Sequence, residues 1–397
     1  MQPLDAVYLQ ILKNLCTDLS EPVPLDGVDP SALYRLAEKH CSLPFLLPYF
    51  EQQPFSALKQ QTKQMLLSYY QLEHFTRLTF SLLLAEKIPC FLLKGISLAA
   101  NYPIPEYRKL GDLDLYIPEK DAFSRACRIL NAHGYTEEPE ESDHHVTYRF
   151  TFPETGRSFT LELHYRIVGI YQFSRANELV DEIFSASHLK PSFVELYGQT
   201  YPVLPPTENV FYMLHHMLKH YLYSGFGSRL LCDFTLYLER YASEVNFEKI
   251  HFWCRESKIF HLYELILESC RIYFGLSASI DPQVHCSASD CAIFLEKILA
   301  DGDFGSDTQR KIVSSGSYQH TGIHAWFHEG HIQMKLRFPK LHKCVLLWPV
   351  LWVITFFCFL SNTYRIRHTT LRQTLADFRA DNRKTKLLKI FDNNDLQ

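Results

Sequence analysis

Two aspartates stand one residue apart in the stretch GDLDLYI at residues 111–117. Because side chains alternate between the two faces of a strand, this spacing predicts a strand with Asp112 and Asp114 on one face and two leucines on the other. Neighbouring carboxylates repel each other unless a cation lies between them. Mg²⁺ takes carboxylate and phosphate oxygens together, so the pair predicts a site for Mg²⁺ or Mn²⁺ in a cleft.

A second stretch, FTLELHY at residues 159–165, repeats the alternation. It predicts a strand with Glu162 and His164 on one face and Leu161 and Leu163 on the other. On a strand next to the first one, Glu162 would supply a third carboxylate to the ion. The alternative is a chance match, because a motif as short as Asp-x-Asp occurs in many chains of this length.

The stretch LLKGIS at residues 92–97 ends an apolar strand with a glycine and a small hydroxyl residue. Backbone N–H groups at a strand-to-helix turn suit a phosphate group, and Ser97 can add a hydroxyl donor beside Gly95. Lys94 and Arg108 are the nearby cations that could balance phosphate charge. The alternatives are an ordinary turn for the glycine, and surface solvation or a salt bridge to the first aspartate for the cations.

Histidines accompany the predicted strands. His144 and His145 open a strand that we expect between the Asp-x-Asp strand and the Glu162 strand. Alternation would direct only one of them into the cleft. There His145, together with His164, could contact a substrate or the metal. Structural histidines with satisfied ring nitrogens are the alternative.

Two later helical stretches carry polar residues at i, i+4 spacing, which places each pair on one helix face. His216 and His220 lie in NVFYMLHHMLKHYLY, and Arg229 and Asp233 lie in SRLLCDFTLYLERY. We expect these faces to line a substrate pocket. A metal site at the histidines, an ion pair between Arg229 and Asp233, and a purely structural role are the alternatives.

The overall composition is that of a globular protein, with 397 residues of which 47% are hydrophobic, 14% aromatic and 21% charged. The net charge of −4 provides no field to attract a nucleic-acid backbone, so no nucleic-acid partner is expected. Eleven cysteines without a CxxC pair fit free thiols in a reducing cytoplasm and disfavour sulfur-bound zinc. The N-terminus lacks the features of a signal peptide, so we expect a cytoplasmic protein.

The spacing of apolar residues changes along the chain. We predict an N-terminal helical cap (1–85), a small α/β unit (86–190), a helical closing domain (191–330) and a C-terminal helical tail (331–397). The tail contains an uncharged run at 344–364, long enough for a membrane span of roughly 20 residues. Pro349, several aromatics and basic residues on both sides favour a buried helix, with an interfacial helix or a span as alternatives.

Several of these stretches together resemble a bacterial family of uncharacterised nucleotidyltransferases in the DNA polymerase β-like superfamily. They are FLLKGISLAANYPIPEYRKLGDLDLYI, HHVTYRF, LELHYRI, HHMLKH and RLLCDF, within roughly residues 30–240. The resemblance implies an α+β fold, with a polymerase β-like palm embedded between helical regions. It also implies transfer of a nucleoside monophosphate from an NTP, most simply ATP, to an acceptor hydroxyl with release of pyrophosphate.

The resemblance implies roles for the three carboxylates. Asp112 and Asp114 would hold the metal ions, and Glu162 would ligate the catalytic ion and help to remove the acceptor proton. The acceptor would be a small molecule, a polysaccharide precursor or a peptide. A palm-fold binding or regulatory module without turnover and a membrane-associated scaffold are the alternative functions.

The resemblance also implies that the turn holds the β- and γ-phosphates through Gly95 and Ser97, with Lys94 and Arg108 as counter-charges. In the superfamily, Gly or Ser usually follows the first glycine of this turn directly. Here Ile96 stands between Gly95 and Ser97.

Overall fold

The computed structural model describes residues 2–17, 21–50, 56–139, 142–171, 173–221, 226–302, 323–338 and 341–367. The α-helices are α1 (Pro3–Thr17), α2 (Pro30–Lys39), α3 (Ser56–Ala85), α4 (Ile96–Ala99), α5 (Lys120–Ala132), α6 (Ser174–Ile183), α7 (Pro206–Lys219), α8 (Ser228–Tyr241), α9 (Phe247–Glu256), α10 (Phe260–Phe274), α11 (Ala288–Asp301), α12 (Ile323–Arg337) and α13 (Trp348–Arg367). The strands are β1 (Phe91–Leu92), β2 (Leu113–Tyr116), β3 (Thr136–Glu137), β4 (His145–Thr151), β5 (Ser158–His164), β6 (Ser192–Leu196) and β7 (Gln199–Val203).

The strands of the described residues form one mixed sheet in the order β3-β4-β5-β2-β1-β7-β6. β2 runs parallel to β5 and antiparallel to β1, and β1 runs parallel to β7. A mixed sheet among helices is an α+β architecture, which confirms the predicted fold class. The sheet continues to Val203, past the predicted boundary at residue 190, and the division of the chain into four units stays a prediction.

One face of the sheet is apolar. Leu113 and Leu115 of β2 and Leu161 and Leu163 of β5 are buried in one core with residues of α3 and α5. Burying a leucine side chain contributes about 1.5–3 kcal/mol, so a one-residue slip of either strand would be costly. The register is therefore set by the leucines, and alternation places the carboxylates of β2 and β5 on the opposite face.

The strand that begins at His145 is β4, and it lies on the far side of β5. The expectation that it separates the Asp-x-Asp strand from the Glu162 strand is wrong. Periodicity assigns residues to the faces of a strand but does not give the order of strands in a sheet. As a result β2 and β5 are direct neighbours, and Asp114 lies opposite Glu162.

A second core joins N-terminal and central helices. α1 and α2 pack with α7 to α11, and the buried Tyr8 hydroxyl lies 2.7 Å from Ser42 Oγ and 2.8 Å from Ser228 Oγ. α3 contributes Leu58 to this core, but most of its buried apolar residues, such as Phe75, lie in the apolar core under the sheet. The helices predicted as one N-terminal cap thus serve two different cores.

The apolar run at 344–364 falls largely in α13, which packs against α12 through contacts such as the hydrogen bond from Trp352 Nε1 to His331 Nδ1 at 3.1 Å. Most described side chains of the run are exposed, including Leu346 at 90% and Phe357 at 62%. The buried-helix expectation is wrong for these side chains. Within the described ranges, no helix combines the length and the apolar character that crossing a membrane requires. Contact with a membrane surface stays a prediction.

Candidate active site

Asp114 and Glu162 lie opposite each other on the adjacent parallel strands β2 and β5. Asp114 is buried, and its Oδ1 atom lies 3.2 Å from Lys94 Nζ and 3.2 Å from His164 Nε2. Glu162 Oε2 lies 3.4 Å from the same His164 nitrogen. The two carboxylates share one imidazole and have Lys94 as a counter-charge, so their mutual repulsion is offset within the protein.

Hydrogen bonds and neighbouring charges shift the pKa values of three groups in this site. Burial alone would raise the pKa of Glu162, but the His164 hydrogen bond and the charge of Lys94 outweigh it and lower that pKa well below its usual range. Burial alone would lower the pKa of Lys94, but the neighbouring carboxylates outweigh it and raise that pKa. Burial would also lower the pKa of His164, but its hydrogen bonds to Asp114 and Glu162 raise it. At neutral pH Glu162 is therefore a carboxylate and Lys94 an ammonium.

Asp112 comes just before β2, and its side chain is exposed. Partial desolvation of its carboxylate, together with the charges of Asp114 and Glu162, raises the pKa of Asp112 to about 6. In the described part of the chain, the tight carboxylate-containing group consists of Asp114, Glu162 and His164, whose ligand atoms lie within 4.8 Å of one another. Asp112 is outside that group. Carboxylate oxygens with one imidazole fit an ion such as Mg²⁺ or Mn²⁺.

The turn after β1 has a conformation that glycine favours. Gly95 has a φ of 76° and precedes the short helix α4. The Ser97 hydroxyl donates a hydrogen bond to the carbonyl of Leu93 inside this turn. Because Lys94 contacts Asp114, both polar side chains of the turn have partners within the protein. Phosphate binding by this turn stays a prediction.

Arg108 lies away from the carboxylate group, in a buried ion pair with Asp233 of α8. Arg108 Nε and Nη2 each donate to one oxygen of Asp233 at 2.7 Å, and the Tyr102 hydroxyl donates to Asp233 Oδ1 at 2.7 Å. Burial would raise the pKa of Asp233, but Arg108 and Arg229 outweigh it and lower that pKa. Arg229 itself reaches the carbonyl of Lys109 at 3.5 Å. These side chains fix α8 to the segment before β2 and do not line the carboxylate group.

Helix α7 brings a further cation to the strands. Lys219 Nζ lies 3.0 Å from His144 Nε2, and burial together with the charge of Lys94 lowers the pKa of Lys219. The rings of His216 and His220 meet edge to face, with 4.3 Å between their centroids. Burial and the charge of Lys94 lower the pKa of His216 well below its usual value. Sequence reasoning missed Lys219, although its position three residues after His216 places it on the same helix face.

Both His144 and His145 lie beside His164, with 5.5 Å and 5.1 Å between ring centroids. The expectation that only one of the pair faces the site is wrong, because His144 precedes the first residue of β4 and is not bound by its alternation. Burial is the main cause that lowers the pKa of His144 to about 4 and that of His145 to about 4. Both rings are neutral at pH 7.

His215, also on α7, should make the protein sensitive to acid. Burial and the charge of Arg166 lower the pKa of His215 to about 3, whereas an unfolded histidine titrates near 6.5. The unfolded chain therefore binds more protons, and stability is lost as the pH falls from 6.5 towards 3. Between pH 7 and pH 4.5, the unfolding free energy of a His215→Phe variant should fall by on the order of 2–3 kcal/mol less than that of wild type. Urea unfolding at the two pH values measures this difference.

The exposed His188 provides the control for this measurement. A His188→Gln variant should follow the wild-type pH dependence. Equal loss of unfolding free energy in His215→Phe and wild type would contradict the assignment of this acid sensitivity to His215.

Comparison with known proteins gives a family for the chain. Residues 26–275, more than half of the chain, match the family described as uncharacterised nucleotidyltransferase. No curated protein matches the chain significantly. Among solved structures, an antigenic nucleotidyltransferase-like protein from Paracoccidioides brasiliensis matches over 52% of this chain and 94% of that chain, with 14% sequence identity and a TM-score of 0.34. The chain belongs to the uncharacterised nucleotidyltransferase family.

Proposed function

We propose that this protein transfers a nucleoside monophosphate from an NTP, with ATP as the first choice, to an acceptor hydroxyl and releases pyrophosphate. The observation that carries this proposal is the placement of Asp114 opposite Glu162 on neighbouring parallel strands, with Asp112 just before the first strand. The acceptor would be a small molecule, a polysaccharide precursor or a peptide. The family match supports nucleotidyl transfer as the reaction class.

The three carboxylates would hold Mg²⁺ or Mn²⁺. When bound, such an ion neutralises the charge that develops on the triphosphate and aligns the attacking and leaving oxygens. Asp114 and Glu162 are fixed by the hydrogen-bond ladder between β2 and β5, so they would set the position of the ion. Asp112 is exposed and would complete the ligand set from the solvent side.

Lys94 and Glu162 would have distinct roles in the reaction. Lys94 neutralises Asp114, and with an ion held by the carboxylates its ammonium would be available to the triphosphate oxygens. Glu162 is ionised well below neutral pH, which suits a ligand.

A binding or regulatory module without turnover is the second candidate. The observation that favours it is that the carboxylates already have partners within the protein: Lys94 offsets the charge of Asp114, and His164 hydrogen-bonds to both Asp114 and Glu162. Such a module would bind NTP without releasing pyrophosphate. A transferase would release pyrophosphate in the presence of Mg²⁺ or Mn²⁺.

The test is an Asp112→Asn variant in an assay of pyrophosphate release from labelled NTPs, with Mg²⁺ or Mn²⁺ and a panel of hydroxyl acceptors. We expect transfer to fall at least about 100-fold, since loss of even an outer partner of a metal ligand costs roughly 10–100-fold. Unfolding free energy should not fall and should rise slightly, because the side chain is exposed and the change removes a charge that Asp114 and Glu162 repel. Failure of wild type to bind any NTP in calorimetry with metal present would rule out the transferase.

A further inference from the structure

Three histidines lie together where β4 meets β5. His145 is paired directly with His164 across the two strands, and His144 precedes it. Each of the three offers a ring nitrogen, and these nitrogens lie within 4.8 Å of one another. His144 Nε2 and His145 Nδ1 are 3.1 Å apart. Two nitrogens on one tetrahedral Zn²⁺ are roughly 3.3 Å apart, given Zn–N distances of about 2.0–2.1 Å.

Carboxylates orient two of these rings in the way that metal-binding histidines are usually oriented. Asp143 Oδ1 lies 2.8 Å from His144 Nδ1, so this nitrogen carries the proton and Nε2 presents its lone pair. His164 Nε2 faces Asp114 Oδ1 at 3.2 Å and Glu162 Oε2 at 3.4 Å, so it donates to carboxylates as well.

The other ring nitrogen of His164, Nδ1, makes no hydrogen bond with any residue that the structure describes. The His164 side chain is also buried. A buried polar atom without a partner costs free energy, so a group that pairs with it would stabilise the protein. A ring nitrogen whose partner nitrogen is held by a carboxylate is well suited to bind a metal ion.

We propose that His144, His145 and His164 bind a divalent transition-metal ion of the zinc class. Imidazole nitrogens favour such ions, whereas the carboxylate oxygens of the adjacent site favour Mg²⁺ or Mn²⁺. The ion would occupy a position next to the carboxylates, and His164 would connect the two positions. This proposal does not rest on nucleotidyl transfer.

Lys219 is the competitor for this position. Its Nζ atom lies 3.0 Å from His144 Nε2, the nitrogen whose lone pair would take the ion. An ammonium at that distance repels a divalent cation and occupies the lone pair. Removing the ammonium should therefore strengthen metal binding, whereas removing a histidine should weaken it.

The experiment titrates the full-length, metal-free protein with Co²⁺, whose visible absorption reports nitrogen ligation, and with Zn²⁺ in competition. We expect His145→Gln to weaken Co²⁺ binding at least about tenfold, because a direct ligand is worth no less than an outer-shell partner. Lys219→Met should tighten it. His285→Gln, at an exposed histidine, and Asp112→Asn, in the carboxylate site, should retain the wild-type affinity.

His145 is chosen for substitution because it is only partly buried, and circular dichroism would show that the variant folds. Equal Co²⁺ affinity in wild type and His145→Gln would overturn the proposal, because the ion would then bind other histidines of the chain. Absence of Co²⁺ and Zn²⁺ binding, or weaker binding in Lys219→Met, would overturn it as well. Loss of binding in Asp112→Asn but not in His145→Gln would assign the ion to the carboxylates instead.

Discussion

Replacement of Asp114 by asparagine should abolish nucleotidyl transfer and also destabilise the fold by about 3 kcal/mol. The neutral amide removes a carboxylate from the proposed ligand set. It also leaves Lys94 and His164 without the buried carboxylate that both contact. Removing one partner of a buried ion pair costs about 3–5 kcal/mol. We expect a loss of unfolding free energy near the lower end of this range, because the Lys94 side chain is 23% exposed and Glu162 remains beside His164.

Pyrophosphate release measures the first effect, and urea unfolding monitored by circular dichroism measures the second. Asp112→Asn is the matched control, since the same chemical change at an exposed position should reduce transfer without reducing stability. If Asp114→Asn kept wild-type stability and wild-type turnover, Asp114 would have neither the structural nor the catalytic role given to it here.

Replacement of Asp233 by asparagine should cost about 3–5 kcal/mol of unfolding free energy, because it leaves the Arg108 guanidinium buried without its carboxylate. Tyr102→Phe is the matched control, since it removes one hydrogen bond to a charged group and should cost about 1.5–3 kcal/mol. The double variant Arg108→Met/Asp233→Leu should recover only part of the loss, because apolar side chains of similar size often replace a buried ion pair without penalty, but the Tyr102 hydroxyl loses its acceptor. Urea unfolding of the four proteins gives these differences.

The same variants test whether Arg108 binds phosphate, as its position in the sequence suggested. If the guanidinium serves only Asp233, the double variant should bind NTP with wild-type affinity in calorimetry. A loss of NTP affinity in a folded double variant would mean that Arg108 leaves Asp233 for the nucleotide. Wild-type stability of Asp233→Asn would contradict the ion pair itself.

The sequence was sufficient to predict that Asp114 and Glu162 each lie on the strand face opposite the leucines. Asp112 precedes β2, so its place on the same face stays a prediction. Alternation with period two is dictated by backbone geometry, and burial of Leu113, Leu115, Leu161 and Leu163 fixes which face is polar. This assignment of faces succeeded because it depends on residues that are near each other in the chain. The α+β class, which the resemblance to nucleotidyltransferases implied, was confirmed as well.

Contacts between distant residues could not be predicted in this way. Asp233 meets Arg108 across 125 positions of the sequence, whereas spacing alone suggested its helix neighbour Arg229. Lys219 reaches His144 across 75 positions. Such pairs depend on how helices pack against the sheet, which local periodicity does not encode.

The exposed run in α13 illustrates a second limit. Composition predicted burial for residues 344–364, but burial requires a partner surface as well as an apolar sequence. Within the described residues, α12 covers only part of α13, and Leu346 and Phe357 remain exposed.

The contact between Lys94 and Asp114 has a consequence for the order in which ligands bind. If the carboxylates bind a divalent ion as proposed, an ion without nucleotide would displace an ammonium that then has no new partner, so its affinity should be low. An ion that arrives with a triphosphate would give that ammonium a new anion. Ion and nucleotide would then be thermodynamically coupled, and each should raise the affinity for the other by the same factor. The empty protein meanwhile keeps a counter-ion of its own, so its folding should not depend on the supply of metal.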